Sequence, residues 1–148
     1  MNSLFLIDTS VWILALRKKY TPEIKSYVEK LIEEDKVVIN PIIKLELLAG
    51  TRTKKEFSRL KLRLDALPEI TINQDIWEEA QRMAFDLRRR GLGIPLIDIM
   101  ILTCAKSSDS TLVHRDRHFE FAGKFFNVKS KSFLSNRFLT RLSKPRSV

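Results

Sequence analysis

Short runs of β-branched and aromatic residues alternate along this chain with longer stretches of helical period, and that alternation restricts the fold more than any other feature. The candidate strands are LFLI at 4–7, VVIN at 37–40, ITI at 70–72, TLV at 111–113 and FFNV at 125–128. Runs this short and apolar suit a parallel sheet buried on both faces. Helical patterns fill the gaps. After Pro22, Ile24, Tyr27, Val28, Leu31 and Ile32 share one face; after Asp75, Ile76, Trp77, Ala80, Met83, Ala84 and Leu87 share another. Between the second and third candidate strands lie PIIKLELLAG, ended by Gly50, and a charged helix around 54–66. The expectation is a single three-layer α/β/α domain on a central five-stranded, mainly parallel sheet. A chain of 148 residues can bury one such core but not two. That domain is expected over 1–129, followed by a basic C-terminal extension, 130–148, in which Leu134, Phe138 and Leu142 recur every four residues as in a short helix before a disordered end.

Charge narrows the class of partner. The formal net charge is +9, from 27 Lys and Arg against 18 Asp and Glu, which favours a polyanion such as nucleic acid. Six of the basic residues and none of the acids lie from Lys129 onward, leaving +3 on residues 1–128. The single cysteine, Cys104, sits in an apolar stretch and calls for no oxidising compartment. The apolar start is cut off by Asp8 too early for a signal-peptide core, and no run approaches the length that spans a bilayer. A soluble, cytoplasmic protein without a membrane partner is expected.

Against this basic balance, four acids occupy places where acids are costly. Asp8 ends the first candidate strand, and Asp116 follows the fourth by three residues. In an open α/β sheet such strand ends border the ligand crevice. Asp98 is the only charged residue of PLIDIMILTCA, a stretch apolar nearly all round and so suited to a buried helix. Glu46 lies within the apolar KLELLAG, where Lys44 at i, i+2 does not face it. Simpler roles stand beside the chemical one: Asp8 and Asp98 also suit helix N-caps, and Asp116 a surface turn. Burying one unpaired carboxylate costs several kcal/mol on the order given by transfer energies, and four near one crevice repel one another. A divalent cation resolves both problems.

LIDTSVW with Asp8, KLELLAG with Glu46, PLIDIMILTCA with Asp98 and HRDRHF with Asp116 together resemble the four acidic motifs of the PIN domain, over residues 3–129. Within that family the chain resembles the small VapC toxins of toxin–antitoxin pairs. Met100, Leu102 and Thr103 stand where small alanines are common in the family, and the basic tail runs longer than in many relatives. The resemblance implies a metal-dependent ribonuclease in which Asp8 and Asp98 ligate Mg²⁺ or Mn²⁺ while Glu46 and Asp116 complete the catalytic acids. Oxygen donors suit such hard cations. It further implies a VapB-like antitoxin and a homodimer. Ser10, two places after Asp8, matches a small polar position of the family, and equally suits a helix start.

RNA contacts fall to basic residues. Arg115 and Arg117 flank Asp116, and Arg88, Arg89 and Arg90 precede a loop with Gly91 and Gly93. Arg88 to Arg90 also suit the last turn of a helix, where positive charge complements the dipole. Neither His114 nor His118 is expected to serve as a general acid; the resemblance implies that His118 packs or faces solvent, and Phe119 reads as core. A phosphoacceptor receiver domain requires an Asp where the third candidate strand is followed by Asn73, and a haloacid-dehalogenase-like phosphatase requires one at Ser10. The competing function is a metal-stabilised RNA-binding module without turnover.

Overall fold

The computed structural model describes residues 3–17 and 21–134. The expected tail helix through Phe138 and Leu142 lies outside the described residues. The chain runs β1 (Phe5–Ile7), α1 (Thr9–Leu16), α2 (Pro22–Glu33), β2 (Val37–Val38), α3 (Pro41–Ala49), α4 (Lys54–Asp65), α5 (Gln74–Arg89), α6 (Leu96–Ser107), β3 (Thr111–His114), α7 (Arg117–Phe125) and β4 (Ser130–Ser132). Among the described residues no helix is long and apolar enough to cross a membrane.

The strands form one sheet in the order β2-β1-β3-β4, every pair parallel. Consecutive residues of a strand point to opposite faces, and Leu6, Ile7, Leu112 and Val113 are all fully buried. Both faces of the central strands are therefore covered by helices, which is the three-layer arrangement the apolar runs imply.

The sheet has four strands among the described residues, where five were expected. Of ITI, only an adjacent bridge survives: Ile39 pairs with Glu69, and the Ile70 N–H donates to the Ile39 carbonyl at 2.7 Å. Pro68 precedes this segment and Asn73 caps α5 directly after it, so the chain turns before a ladder can extend. FFNV is not a strand either. Phe125 closes α7, Phe126 caps it, and Asn127 turns left-handed at φ 55°. The edge strand comes after that turn, at Ser130–Ser132, so the sheet takes in the first residues of the expected extension.

The helices follow the apolar spacing in part, with Ile32 and Trp77 left exposed rather than packed on their expected faces. Buried Ile24, Val28 and Leu31 anchor α2, and Ile76, Met83 and Leu87 anchor α5. In α6 every residue from Ile99 to Ala105 is buried, Met100, Leu102 and Thr103 among them. Thr103 satisfies its hydroxyl inside this core by donating to the Ile99 carbonyl at 2.7 Å. From β1 the chain moves outward to β2, then crosses back to β3 on the other side of β1. The strand order reverses between β1 and β3, and the crevice beyond their carboxyl ends is where an open α/β sheet places a ligand.

Candidate active site

Three of the four acids stand at helix starts around that crevice. Asp8 leaves β1 with its own N–H bonded to the Val113 carbonyl of β3 at 2.9 Å, and caps α1 by accepting from the Ser10 backbone at 3.4 Å. The Ser10 hydroxyl donates to the same Oδ2 at 2.8 Å. Asp116 leaves β3 and caps α7, its Oδ1 accepting from the His118 N–H at 2.8 Å. Asp98 lies in the first turn of α6, but that helix starts at Pro95 without a side-chain cap. Capping therefore accounts for Asp8 and Asp116 locally and leaves Asp98 without such a role.

Glu46 differs from its expected setting. It sits on the exposed side of α3 rather than in the apolar interior, and its Oε1 accepts a hydrogen bond from Thr9 at 3.0 Å. Lys44 is not its partner: that ammonium pairs with Asp65 and, at 3.3 Å, with Glu69. Thr9 thus joins α3 to the start of α1, one residue from Asp8.

These carboxylates influence one another. Burial raises the Asp8 pKa above the ordinary carboxylate value, against the lowering effect of its bonds to Ser10 and Thr9, and Glu46 adds repulsion. Asp98 is pushed up to about 6, first by desolvation, then by the negative charges of Asp116 and Asp8 and more weakly of Glu46, with His118 opposing. All four acids therefore share one electrostatic site. Asp98, Asp116 and His118 each offer a ligand atom within 4.8 Å of the others. The donor set and its mutual repulsion fit a divalent cation, which would satisfy the carboxylates and offset their charge.

The histidines do more than expected. His118 turns its Nδ1 toward Asp116 Oδ1 at 3.4 Å and Asp98 Oδ2 at 3.8 Å, with 40% of its side chain exposed. His114 is fully buried, and its Nδ1 accepts the Asp116 N–H at 3.1 Å. Its Nε2 lies 3.5 Å from Glu120, and burial lowers its pKa, so the neutral ring holds the backbone of Asp116 in place. Sequence alone did not mark Thr9, His114 or His118 as site residues, although each stands within two positions of a catalytic candidate. Phe119 joins the core as expected, at 2% exposure.

Arg115 and Arg117 are exposed on either side of Asp116, and Arg88 and Arg89 are exposed in the last turn of α5. Arg90 is engaged: its guanidinium lies 4.0 Å from the centre of the Phe125 ring. Gly91 at φ 75° then ends α5 with Leu92 N–H bonded to the Leu87 carbonyl. A separate apolar groove of about 670 Å³ between α1, α2 and α4 is lined by Trp12, Leu16, Ile32, Leu60 and Leu67. None of the four acids lines it.

The PIN domain family matches residues 5–124. VapC ribonuclease Mb1587 of Mycobacterium bovis and ribonuclease VapC11 of Mycobacterium tuberculosis are each 27% identical over 135 residues, covering 88% of this chain and 99% of theirs. Among solved structures, VapBC2 from Rickettsia felis bound to a DNA fragment from its promoter superposes with a TM-score of 0.73 at 21% identity, over 88% of this chain and 98% of that one. FitAcB from Neisseria gonorrhoeae gives 0.67 at 22% identity, over 86% and 96%.

Proposed function

Because the chain belongs to the PIN domain family, we propose that it is a metal-dependent endoribonuclease that cleaves RNA phosphodiesters, and the toxin of a VapBC-type toxin–antitoxin pair. The observation that carries this reading is the convergence of Asp8, Glu46, Asp98 and Asp116, from four distant segments, on one crevice where they repel one another. The relatives named VapC ribonucleases, matched over nearly their whole length, support the toxin assignment. An antitoxin partner is inferred from the VapBC complexes that share the fold, and a cytoplasmic site of action and a homodimer complete the proposal.

Asp8 and Asp98 would hold the Mg²⁺ or Mn²⁺, with Asp116 and Glu46 completing the acidic set. When bound, such an ion supplies Lewis-acid chemistry that activates water and offsets charge building on a scissile phosphate. The chain's own residues do the rest. Ser10 orients the Asp8 carboxylate, Thr9 holds Glu46 toward it, and His114 fixes the loop that carries Asp116. The N-termini of α1, α6 and α7 turn their partial positive charge toward the same crevice, favouring an anion there. Arg115, Arg117, Arg88 and Arg89 are the candidates to hold flanking phosphates, whereas Arg90 first has to leave Phe125.

The test is cleavage of pooled cellular RNA by the purified full chain with Mg²⁺ or Mn²⁺, and with chelator. Cleavage should require the ion and should be lost in Asp8→Asn. RNA binding without cleavage in any divalent cation, beside an active relative, would replace this reading with that of a non-catalytic RNA-binding module.

A further inference from the structure

We propose that His118 is itself a metal ligand, its Nδ1 joining carboxylate oxygens of Asp98 and Asp116 in a mixed nitrogen–oxygen site that prefers Mn²⁺ or Co²⁺ to Mg²⁺. The inference rests on the metal-dependent reading above and adds to it a specific donor and a selectivity. The first support is distance. Nδ1 lies 3.4 Å from Asp116 Oδ1 and 3.8 Å from Asp98 Oδ2. Ligands each about 2.1 Å from a shared ion stand roughly 3 Å apart when adjacent and roughly 4.2 Å when opposite, so small side-chain adjustments suffice.

The second support is how the residue is held. The His118 backbone N–H is tied to Asp116 Oδ1 at 2.8 Å, which anchors the residue at the first turn of α7. Its ring is neither buried in the core nor hydrogen-bonded among the described residues. Both neighbours of Nδ1 are carboxylates, so this is the side of the ring that the acids share. The third support is charge. Carboxylate oxygens of Asp116 and Asp98 already stand 3.4 and 3.8 Å from Nδ1; an imidazole nitrogen adds a donor without adding another carboxylate. An all-oxygen set suits Mg²⁺, whereas an imidazole nitrogen moves preference toward first-row transition ions.

The chain has two histidines, which makes a direct test possible. His114 is fully buried and its Nδ1 already accepts the Asp116 N–H, so a coordinated imidazole can be ascribed to His118. The full chain is titrated with Mn²⁺ and examined by electron spin echo envelope modulation, with His118→Gln and His118→Asp alongside and their folding checked by thermal melts. Wild type should show the modulation of a coordinated ¹⁴N, and His118→Gln should lose it. In competition titrations, the Mn²⁺ over Mg²⁺ preference should be lost in His118→Asp, which replaces the nitrogen donor with an oxygen one. Bound Mn²⁺ without nitrogen modulation, or modulation that survives His118→Gln, overturns the ligand assignment and leaves the metal reading standing. Failure of wild type to bind Mn²⁺ at all overturns both.

Discussion

At Asp98, burial and three neighbouring carboxylates act in the same direction, and the price is a metal-free state strained by its own charges. With a pKa near 6 in the folded chain against 3.8 as the ordinary value, Asp98 binds a proton more tightly folded than unfolded. Its favourable contribution is therefore present below about pH 4 and lost as pH rises through 6. Asp98→Asn should accordingly be more stable than wild type above pH 6 in chelator, by roughly 1 kcal/mol once solvent screening at this open site is allowed for, and the difference should close toward pH 4. At a free Mn²⁺ concentration of 100 times Kd, wild type should gain about 2.7 kcal/mol and the mutant much less; thermal melts in chelator and in Mn²⁺ measure both effects. Equal metal shifts would remove Asp98 from the ligand set. Such acids were legible in the sequence because a carboxylate inside an apolar run announces an unmet need. Glu46 was placed correctly in the chain but wrongly in the interior, since the exposed side of α3 is set by packing against other elements. The histidines were illegible for a related reason: what His114 and His118 do depends on contacts with a loop backbone and with Asp98, which no local pattern encodes.

The helices meet the crevice through their N-termini, and this separates capping from chemistry at α7. Asn caps a helix about as well as Asp, whereas Ala does not. Asp116→Asn should melt at or above the wild-type temperature in chelator, because it keeps the bond to the His118 N–H and removes one charge from beside Asp98. Asp116→Ala should be about 1 kcal/mol less stable than Asp116→Asn. Both should lose RNA cleavage. Denaturant unfolding and a cleavage assay on the two variants give the comparison, and an active Asp116→Asn would reduce Asp116 to a cap. At this scale the sequence was most readable where apolar spacing is long, as in α2, α5 and α6. It was least readable at the sheet's rim: Ser130–Ser132 carries no apolar residue because an edge strand needs none, and FFNV looked like a strand because of its aromatic and β-branched residues, although its two phenylalanines end α7 and pack on each other at 4.7 Å.

Over the whole molecule, the apolar face of α5 is not fully used by the monomer. Trp77 falls on that face by its spacing, yet half of it is exposed, beside Leu45 at 68% exposure, and both line a shallow groove with Ile42 and Ile72. In the proposed homodimer a second copy would cover this face; sedimentation velocity should then give a dimer for wild type and a monomer for Trp77→Arg, with the melting temperature of the variant's domain retained. A dimeric Trp77→Arg would place the contact elsewhere. The order of the strands has a consequence of another kind. β3 is the strand that completes the centre of the sheet, yet it is made late, from Thr111, and Asp116 follows it. A nascent chain still lacking this segment holds Asp8 and Glu46 without the strand against which Asp8 is bonded. Synthesis of the proposed nuclease would therefore leave its acidic site incomplete until the segment carrying β3 and Asp116 has left the ribosome.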